Sequence, residues 1–360
     1  MNIFILGPTS SGKTNLAFFI ARQFDLPIFN CDAIQIYKNL NKLTNKPQFN
    51  SQIVLNGETL SIVDSNTINQ NLSLENIEIQ LITKNKTNFD INWEQLIDLI
   101  KNFNPQTKTS DQIKNYLFDI RYPGETYSVK EFTDDFYRIK NKFKFTNTLI
   151  VGGTIYYAYH LLFNTEFEPD SSNAEMIDVE LDIAMKVVES FISKHKIILN
   201  IKNPRRLIKY YKLIKKYGDK FVEVYYKKQN LGNDDYFVIL LLPKNRTIYY
   251  QKLDEVVDKR FCDETFYEIE YLLKSNVSKD WLEKLSYEYK YFLKIYKVLK
   301  NENTNKQIVD SLLQELKYKE HQYAKRQITW IRKLKKDILS FNNTTTNNLI
   351  TRHKTSYLSG

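Results

Sequence analysis

The chain begins with an apolar strand, Asn2-Ile3-Phe4-Ile5-Leu6, that runs directly into Gly7-Pro8-Thr9-Ser10-Ser11-Gly12-Lys13-Thr14. This is a full G-x-x-x-x-G-K-[ST] phosphate loop. It constrains the fold because the motif works only between a strand and a helix. Both flanks are present, since Leu16, Phe19, Ile20 and Phe24 recur at helical spacing over Thr14 to Phe24. Gly7 and Gly12 let backbone N–H groups turn inward around phosphate oxygens. Lys13 supplies a point charge, the Thr14 hydroxyl can hold Mg²⁺, and the following helix offers its positive N-terminal end. The chain has only nine glycines in 360 residues, so a chance match is uncommon. The loop does not say which phosphorylated ligand it holds, or whether that ligand donates a phosphate.

Further short apolar runs end in polar or glycine turns. Pro27 to Asn30 stops at Cys31-Asp32, Thr148 to Val151 at Gly152-Gly153-Thr154, and Tyr236 to Leu242 at Pro243. Separated by helical patterns, they predict an α/β fold, a P-loop NTPase-like parallel sheet flanked by helices. Ligands in such sheets bind at the carboxyl ends of the strands. The phosphate loop, Asp32 and the Gly152-Gly153 turn are therefore expected to meet in one crevice.

Residues 48–112 read as an extra inserted α+β module. Ile53 to Val63 is a hairpin signal with Asn56-Gly57 at its turn, and Trp93, Leu96, Ile97, Ile100 and Phe103 mark one helix face. Residues 174–196 are helical, placing a small helical insertion domain at 165–202. The catalytic core is then expected over 1–47, 113–164 and 203–341. Its helical C-terminal region runs through Lys252 to Leu273, Lys279 to Leu299 and Asn305 to about Leu339, and 342–360 is expected to be a flexible tail.

The balance of 52 basic to 42 acidic residues leaves a net charge of +10. That suggests a polyanionic partner, with nucleic acid the first candidate, although a lysine-rich composition alone gives the same excess. Two cysteines and four histidines have no metal-ligand spacing, which argues against a zinc enzyme and for a reducing compartment. No apolar run approaches a membrane span, and residue 2 already belongs to a strand rather than to a leader. A cytoplasmic location is expected, with no membrane partner.

No strand ending in the Asp that steadies Mg²⁺ in kinases and ATPases stands beside the loop; the nearest carboxylate by strand order is Asp32. One carboxylate beside a phosphate cradle favours a reaction in which phosphate leaves and the carboxylate takes a proton from a nucleophile. The alternative is a carboxylate serving Mg²⁺. Near the C-terminus, Gln322-Tyr323-Ala324-Lys325-Arg326-Gln327-Ile328-Thr329-Trp330 interleaves basic and aromatic residues on a helix. This suits an RNA backbone and stacked bases, and equally an aromatic core stripe with a solvated basic face.

These segments together resemble a family, the tRNA dimethylallyltransferases (tRNA isopentenyltransferases). The likeness is carried by Gly7 to Thr14, Asp32-Ala33-Ile34-Gln35-Ile36-Tyr37-Lys38, Thr44-Asn45-Lys46-Pro47, Leu117-Phe118-Asp119-Ile120, Tyr127 to Phe132 and Leu149 to Tyr157. Asn203-Pro204-Arg205-Arg206-Leu207-Ile208-Lys209, Arg246 with Tyr250 and Lys252, and Gln322 to Trp330 continue it in order. The likeness covers most of residues 1–47 and 113–335. It implies transfer of a dimethylallyl group from dimethylallyl diphosphate to N6 of the adenosine 3′-adjacent to the anticodon, with Mg²⁺ as cofactor and the tRNA anticodon stem-loop as partner. It implies catalytic roles for Asp32 as general base, Thr9 and Arg246. Diphosphate is expected at Gly7, Pro8, Thr9, Ser10, Ser11, Gly12, Lys13, Thr14 and Arg206, and the metal at Thr14 and Asp32. Contacts to tRNA are expected from Gln35, Tyr37, Lys46, Gly153, Thr154, Arg205, Lys325, Arg326, Gln327 and Trp330. A monomer is expected.

The chain departs from the family pattern at Ala33, Asn115, Tyr116, Ile155 and Val256, where serine, two histidines, glycine and arginine are usual. Rival readings are an enzyme that prenylates free AMP or ADP, a small-molecule kinase on the same loop, and a non-catalytic RNA-binding relative.

Overall fold

The strand-loop-helix order of the first thirty residues is realised as β1 (Asn2–Leu6), α1 (Lys13–Phe24) and β2 (Ile28–Asn30). The structure, a computed structural model, describes residues 1–67, 76–83, 89–90, 94–98, 110–163, 180–197, 199, 201–202, 204–222, 235–301 and 306–356. They fall into two compact units, Met1–Leu162 with Leu231–Gly360, and Phe163–Asn230.

The first unit is built on a nine-stranded sheet. Its centre is parallel, in the order β7 (Gln112–Tyr116), β2, β8 (Thr148–Gly152), β1 and β9 (Tyr236–Pro243). Every residue of β1, β2 and β8 is buried, as expected of parallel strands covered on both faces. Ile3 and Ile5 pack with Leu16, Ala17 and Ile20 of α1 on one face. On β2, Phe29 meets Phe136 of α2 (Val129–Lys142) edge-on at 4.9 Å between centroids. Helix α2 opens with a capping box, in which Ser128 Oγ accepts from Glu131 N and Glu131 Oε2 accepts from Ser128 N. Phe132 of α2 stacks on Tyr157 of α3 (Ile155–Leu162).

The module expected at 48–112 is not separate from this sheet. The hairpin forms as β3 (Ser51–Leu55) and β4 (Glu58–Asp64), with Asn56 and Gly57 at φ 52° and 80°. That is the pair of positive angles a two-residue turn needs. However, β4 pairs antiparallel with β7, while β5 (Ile77–Thr83) pairs antiparallel with β9 at the opposite edge and carries β6 (Phe89–Asp90). Both edges of the parallel sheet presented open N–H and C=O groups, and this segment pairs with them. The expected helix face is described only over 94–98, with Leu96 buried in the core; Trp93, Ile100 and Phe103 lie outside the described residues.

The C-terminal helices of this unit are α6 (Arg246–Arg260), α7 (Asp263–Lys274), α8 (Lys279–Leu285), α9 (Tyr287–Leu299) and α10 (Lys306–Ser356). Two expected single helices are each broken in two. Ser286 ends α8 in extended backbone and caps α9, its Oγ accepting from Tyr289 N. The flexible tail expected at 342–360 continues α10 as helix through Ser356. Ile36, Leu40 and Leu43, just after Asp32, are buried with Val257, Ile269, Tyr289, Phe292 and Leu316. This shared core seats the Asp32 segment against the helical region.

In the second unit, α4 (Leu181–His195) and α5 (Pro204–Tyr217) share a core of Ala184, Val188, Phe191, Leu207, Tyr210 and Ile214. The core was expected to resume at residue 203. Instead α5 belongs with α4, because its apolar face is buried against that helix.

Candidate active site

The phosphate loop turns between β1 and α1 with Ser10 and Gly12 at positive φ. Gly12 caps α1 without a side-chain hydrogen bond, leaving first-turn N–H groups to face an anion. Thr9 to Thr14 line a cavity of about 610 Å³, while Gly7 and Pro8 lie buried beneath. Lys13 Nζ donates to the Pro8 carbonyl at 2.6 Å. Burial lowers its pKa from 10.5 to about 8, and Asp32 opposes that shift. The Ser11 hydroxyl is buried in this wall with no hydrogen-bond partner among the described residues.

Asp32 follows β2 and lines the same cavity. Its Oδ1 accepts from Ile34 N at 2.9 Å and Gln35 N at 3.3 Å, which fixes the carboxylate and leaves Oδ2 to other partners. Thr154 holds the segment from the other side, its Oγ1 accepting from Ala33 N at 3.0 Å and its N donating to Cys31 O at 3.2 Å. Gly152 permits this approach: a Cβ there would lie 2.0 Å from Cys31 O. Asn30 Nδ2 ties the strand end to Leu117 O at 2.9 Å.

The loop, Asp32 and the Gly152-Gly153 turn thus converge as the sequence predicts, and Gln35, Arg326 and Gln327 line the same cavity. Lys252, Arg260 and Lys290 add basic charge to the walls. Gln35 Nε2 donates to Thr44 O at 2.9 Å. Lys325 and Arg326 are exposed, and Arg326 lies 5.8 Å from the Tyr323 ring centroid.

Several expected RNA contacts are placed otherwise. Lys46 is buried, donating to Asp119 Oδ1 at 2.5 Å and to Tyr37 O at 2.6 Å. Tyr37 is also buried, with its hydroxyl on Glu125 O at 2.9 Å. The Thr154 hydroxyl is taken by Ala33, and the Gln327 amide is buried and bonded at both ends. These polar atoms are bonded within the chain, where they shape the site. Trp330 is half-buried outside the cavity lining, with Tyr156 6.0 Å away edge-on.

Arg246, expected to be catalytic, is exposed on the first turn of α6 with its guanidinium 4.9 Å from the Tyr250 ring, and is not among the cavity-lining residues. Arg206 is exposed on α5 of the second unit, and the Arg205 side chain lies outside the described residues. Of the five departures, Asn115, Tyr116 and Ile155 are buried, Ala33 is bonded through its N–H, and Val256 faces the cavity.

A buried ionic cluster at the cavity wall was not anticipated. Arg260 Nη1 donates to Glu320 Oε2 at 3.2 Å, and Tyr287 Oη donates to the same oxygen at 2.7 Å. Arg260 Nε reaches Asn45 Oδ1 at 3.4 Å. Glu288 is buried beside them, and desolvation, then Glu320, pushes its carboxyl up to about 7. No local sequence pattern marks residues 260, 288 and 320 as a group.

Thr14 and Asp32 offer one hydroxyl and one carboxylate to the same cavity. Among the described residues no group of three or more His, Cys, Asp or Glu stands ready to cage a metal. The pair suits Mg²⁺, which is held by one or two carboxylates together with substrate phosphates. No helix among the described residues is long and apolar enough to cross a membrane.

Sequence comparison gives the same assignment from both ends of the chain. A sequence model described as IPP transferase matches residues 100–334, and one described as isopentenyl transferase matches residues 1–76. A tRNA dimethylallyltransferase of Malacoplasma penetrans is 24% identical over 346 residues, covering 95% of this chain and 92% of the relative. One from Finegoldia magna is 25% identical over 350 residues, covering 93% and 88%. Among solved structures, a eukaryotic dimethylallyltransferase acting on tRNA superposes with a TM-score of 0.58 at 17% identity, over 92% of this chain and 70% of that one. A tRNA isopentenylpyrophosphate transferase from Staphylococcus epidermidis gives 0.50 at 19% identity, over 97% and 99%.

Proposed function

The chain belongs to the IPP transferase family, and we propose that it transfers a dimethylallyl group from dimethylallyl diphosphate to N6 of the adenosine immediately 3′ of the anticodon in tRNA. The observation that carries this reading is the placement of Asp32 in one cavity with Lys13 and Thr14, with the basic side chain of Arg326 also in its lining. A cradle for diphosphate, a fixed proton acceptor and an RNA-facing basic surface are what this reaction needs.

The phosphate loop and Lys13 hold the diphosphate. The adenine amino group approaches Asp32, after the base has left its stack to enter the cavity. A bond forms between N6 and the allylic C1 while the C1–O bond breaks, its electron pair leaving with the diphosphate. Asp32 takes the N6 proton through Oδ2, the oxygen not engaged by Ile34 and Gln35. Thr14 and Asp32 would hold Mg²⁺, whose chemistry is to neutralise charge on the departing diphosphate. Lys325 and Arg326 meet RNA phosphates, and Gln35 meets a base of the anticodon loop. Arg206 and Arg246, both exposed, each offer a guanidinium to RNA phosphates. The protein acts as a monomer in the cytoplasm.

Purified protein is incubated with labelled dimethylallyl diphosphate, Mg²⁺ and either unmodified tRNA or AMP. Label in tRNA alone is expected. Label in AMP alone, or ATP consumption with neither substrate labelled, would replace this reading with a free-nucleotide prenyltransferase or a kinase.

A further inference from the structure

Thr9, the third residue of the phosphate loop, has both backbone polar groups bound by side chains distant in sequence. Its N–H is accepted by Gln327 Oε1 at 2.9 Å, and its carbonyl accepts from Tyr249 Oη at 2.7 Å. Gln327 Nε2 donates in turn to Gly153 O at 3.0 Å. The orientation of this amide is unambiguous, because a backbone N–H can only donate and a backbone carbonyl can only accept. Gln327 is 6% exposed, so each of these bonds replaces a lost contact with water.

The surroundings fit the amide closely. A Cβ at Gly153 would lie 2.6 Å from Gln327 Nε2. Tyr249, Leu253 and Ala324 form a buried cluster that joins α6 to α10, so the two side chains reaching Thr9 come from helices packed together. Thr9 N–H is consumed by the protein and Ser11 N donates to Pro8 O at 3.4 Å, so a phosphate is left with the other loop N–H groups, such as those of Ser10 and Gly12. Lys325 and Arg326 are exposed two and one residues before Gln327, on the same turn of α10.

We infer that Gln327 is a positioning residue that sets the shape of the phosphate loop from α10, and that through it diphosphate and RNA each raise the affinity for the other. The inference rests on the proposed function for the identity of the two ligands. Lys325 and Arg326 sit on the turn that carries Gln327, so RNA held there favours the arrangement in which Gln327 holds Thr9, and a loop already held in its binding shape costs less to occupy. The coupling is reciprocal by thermodynamic necessity.

Titration calorimetry on the full chain tests this, with Mg²⁺, inorganic diphosphate and an anticodon stem-loop RNA. Wild-type protein binds diphosphate about fivefold more tightly when RNA is present. Gln327→Ala loses about tenfold in diphosphate affinity and loses the coupling, while its affinity for RNA alone stays within about twofold. Tyr249→Phe keeps its packing and shows a smaller loss of the same sign, which preserves the test should Gln327→Ala fail to fold. Absence of coupling in the wild type, or diphosphate affinity unchanged in the folded variants, overturns the inference. These titrations need no turnover. A wild type that couples the two ligands but transfers nothing to tRNA would therefore sink the proposed reaction and leave the brace standing.

Discussion

Lys13 Nζ donates to the carbonyl of Pro8 at 2.6 Å, five residues back in its own loop. Burial holds its pKa at about 8, well under the ordinary 10.5. Between those two values the folded chain binds fewer protons than the unfolded one. The stability cost of burying this ammonium is therefore full below pH 8 and is relieved as the pH rises through 8 to 10.5. A diphosphate restores the charge, so its binding takes up a proton above pH 8. Affinity for inorganic diphosphate should fall by up to about tenfold per pH unit between 8 and 9.5. Lys13→Met should bind about 10- to 100-fold more weakly at pH 7, and its affinity should change little with pH. Calorimetry in buffers of different ionisation enthalpy measures both.

Asp32 is held through Oδ1 by the N–H groups of Ile34 and Gln35. Asp32→Asn keeps an acceptor for those bonds and removes the ability to take a proton. Single-turnover transfer should fall by about 10²- to 10⁴-fold, with RNA affinity unchanged within about twofold. Retained transfer would remove Asp32 from the role of base.

Lys325 and Arg326 are exposed on α10. Replacing both with alanine removes two phosphate contacts. The slope of log affinity against log salt for a single-stranded anticodon loop should shrink by about 1.4. Fluorescence anisotropy across a salt series measures the slope, and an unchanged one would place the RNA contact elsewhere.

Glu288 has a raised carboxyl pKa of about 7, from desolvation first and then Glu320. Between its ordinary value of 4.5 and about 7 the folded chain binds more protons than the unfolded one. The stability it contributes is full below 4.5 and is lost as the pH rises through 7. Glu288→Gln should flatten the fall in Tm between pH 5 and pH 8. Glu320→Ala strands the Arg260 guanidinium without its buried partner and should cost about 3–5 kcal/mol. Thermal melts across this pH range distinguish the two effects.

The site was legible wherever its chemistry is written in consecutive residues. The phosphate loop, Asp32 at a strand end and the Gly152-Gly153 turn each follow a short apolar run, and they meet in one cavity. The internal hydrogen bonds of Lys46, Tyr37 and Gln327 were not legible, because a polar residue in a motif looks the same whether its hydrogen bonds are made inside or offered outside. Only burial and partners separate the cases. Residues 48–112 were misread as a module because strand pairing partners lie far along the chain: β5 reaches β9 across more than 150 residues of sequence.

By itself the sequence determined the strand-loop-helix unit, the hairpin turn at Asn56-Gly57 and the resemblance that points to prenyl transfer, since all of these rest on local backbone preference and contiguous motifs. Tertiary structure alone decided that Gln327 and Tyr249 hold Thr9, that Arg260, Glu288 and Glu320 share one buried site, and that α5 belongs with α4. In each case the deciding term is the desolvation of polar groups or the burial of an apolar face against a distant element. That energy exists only once the chain has folded.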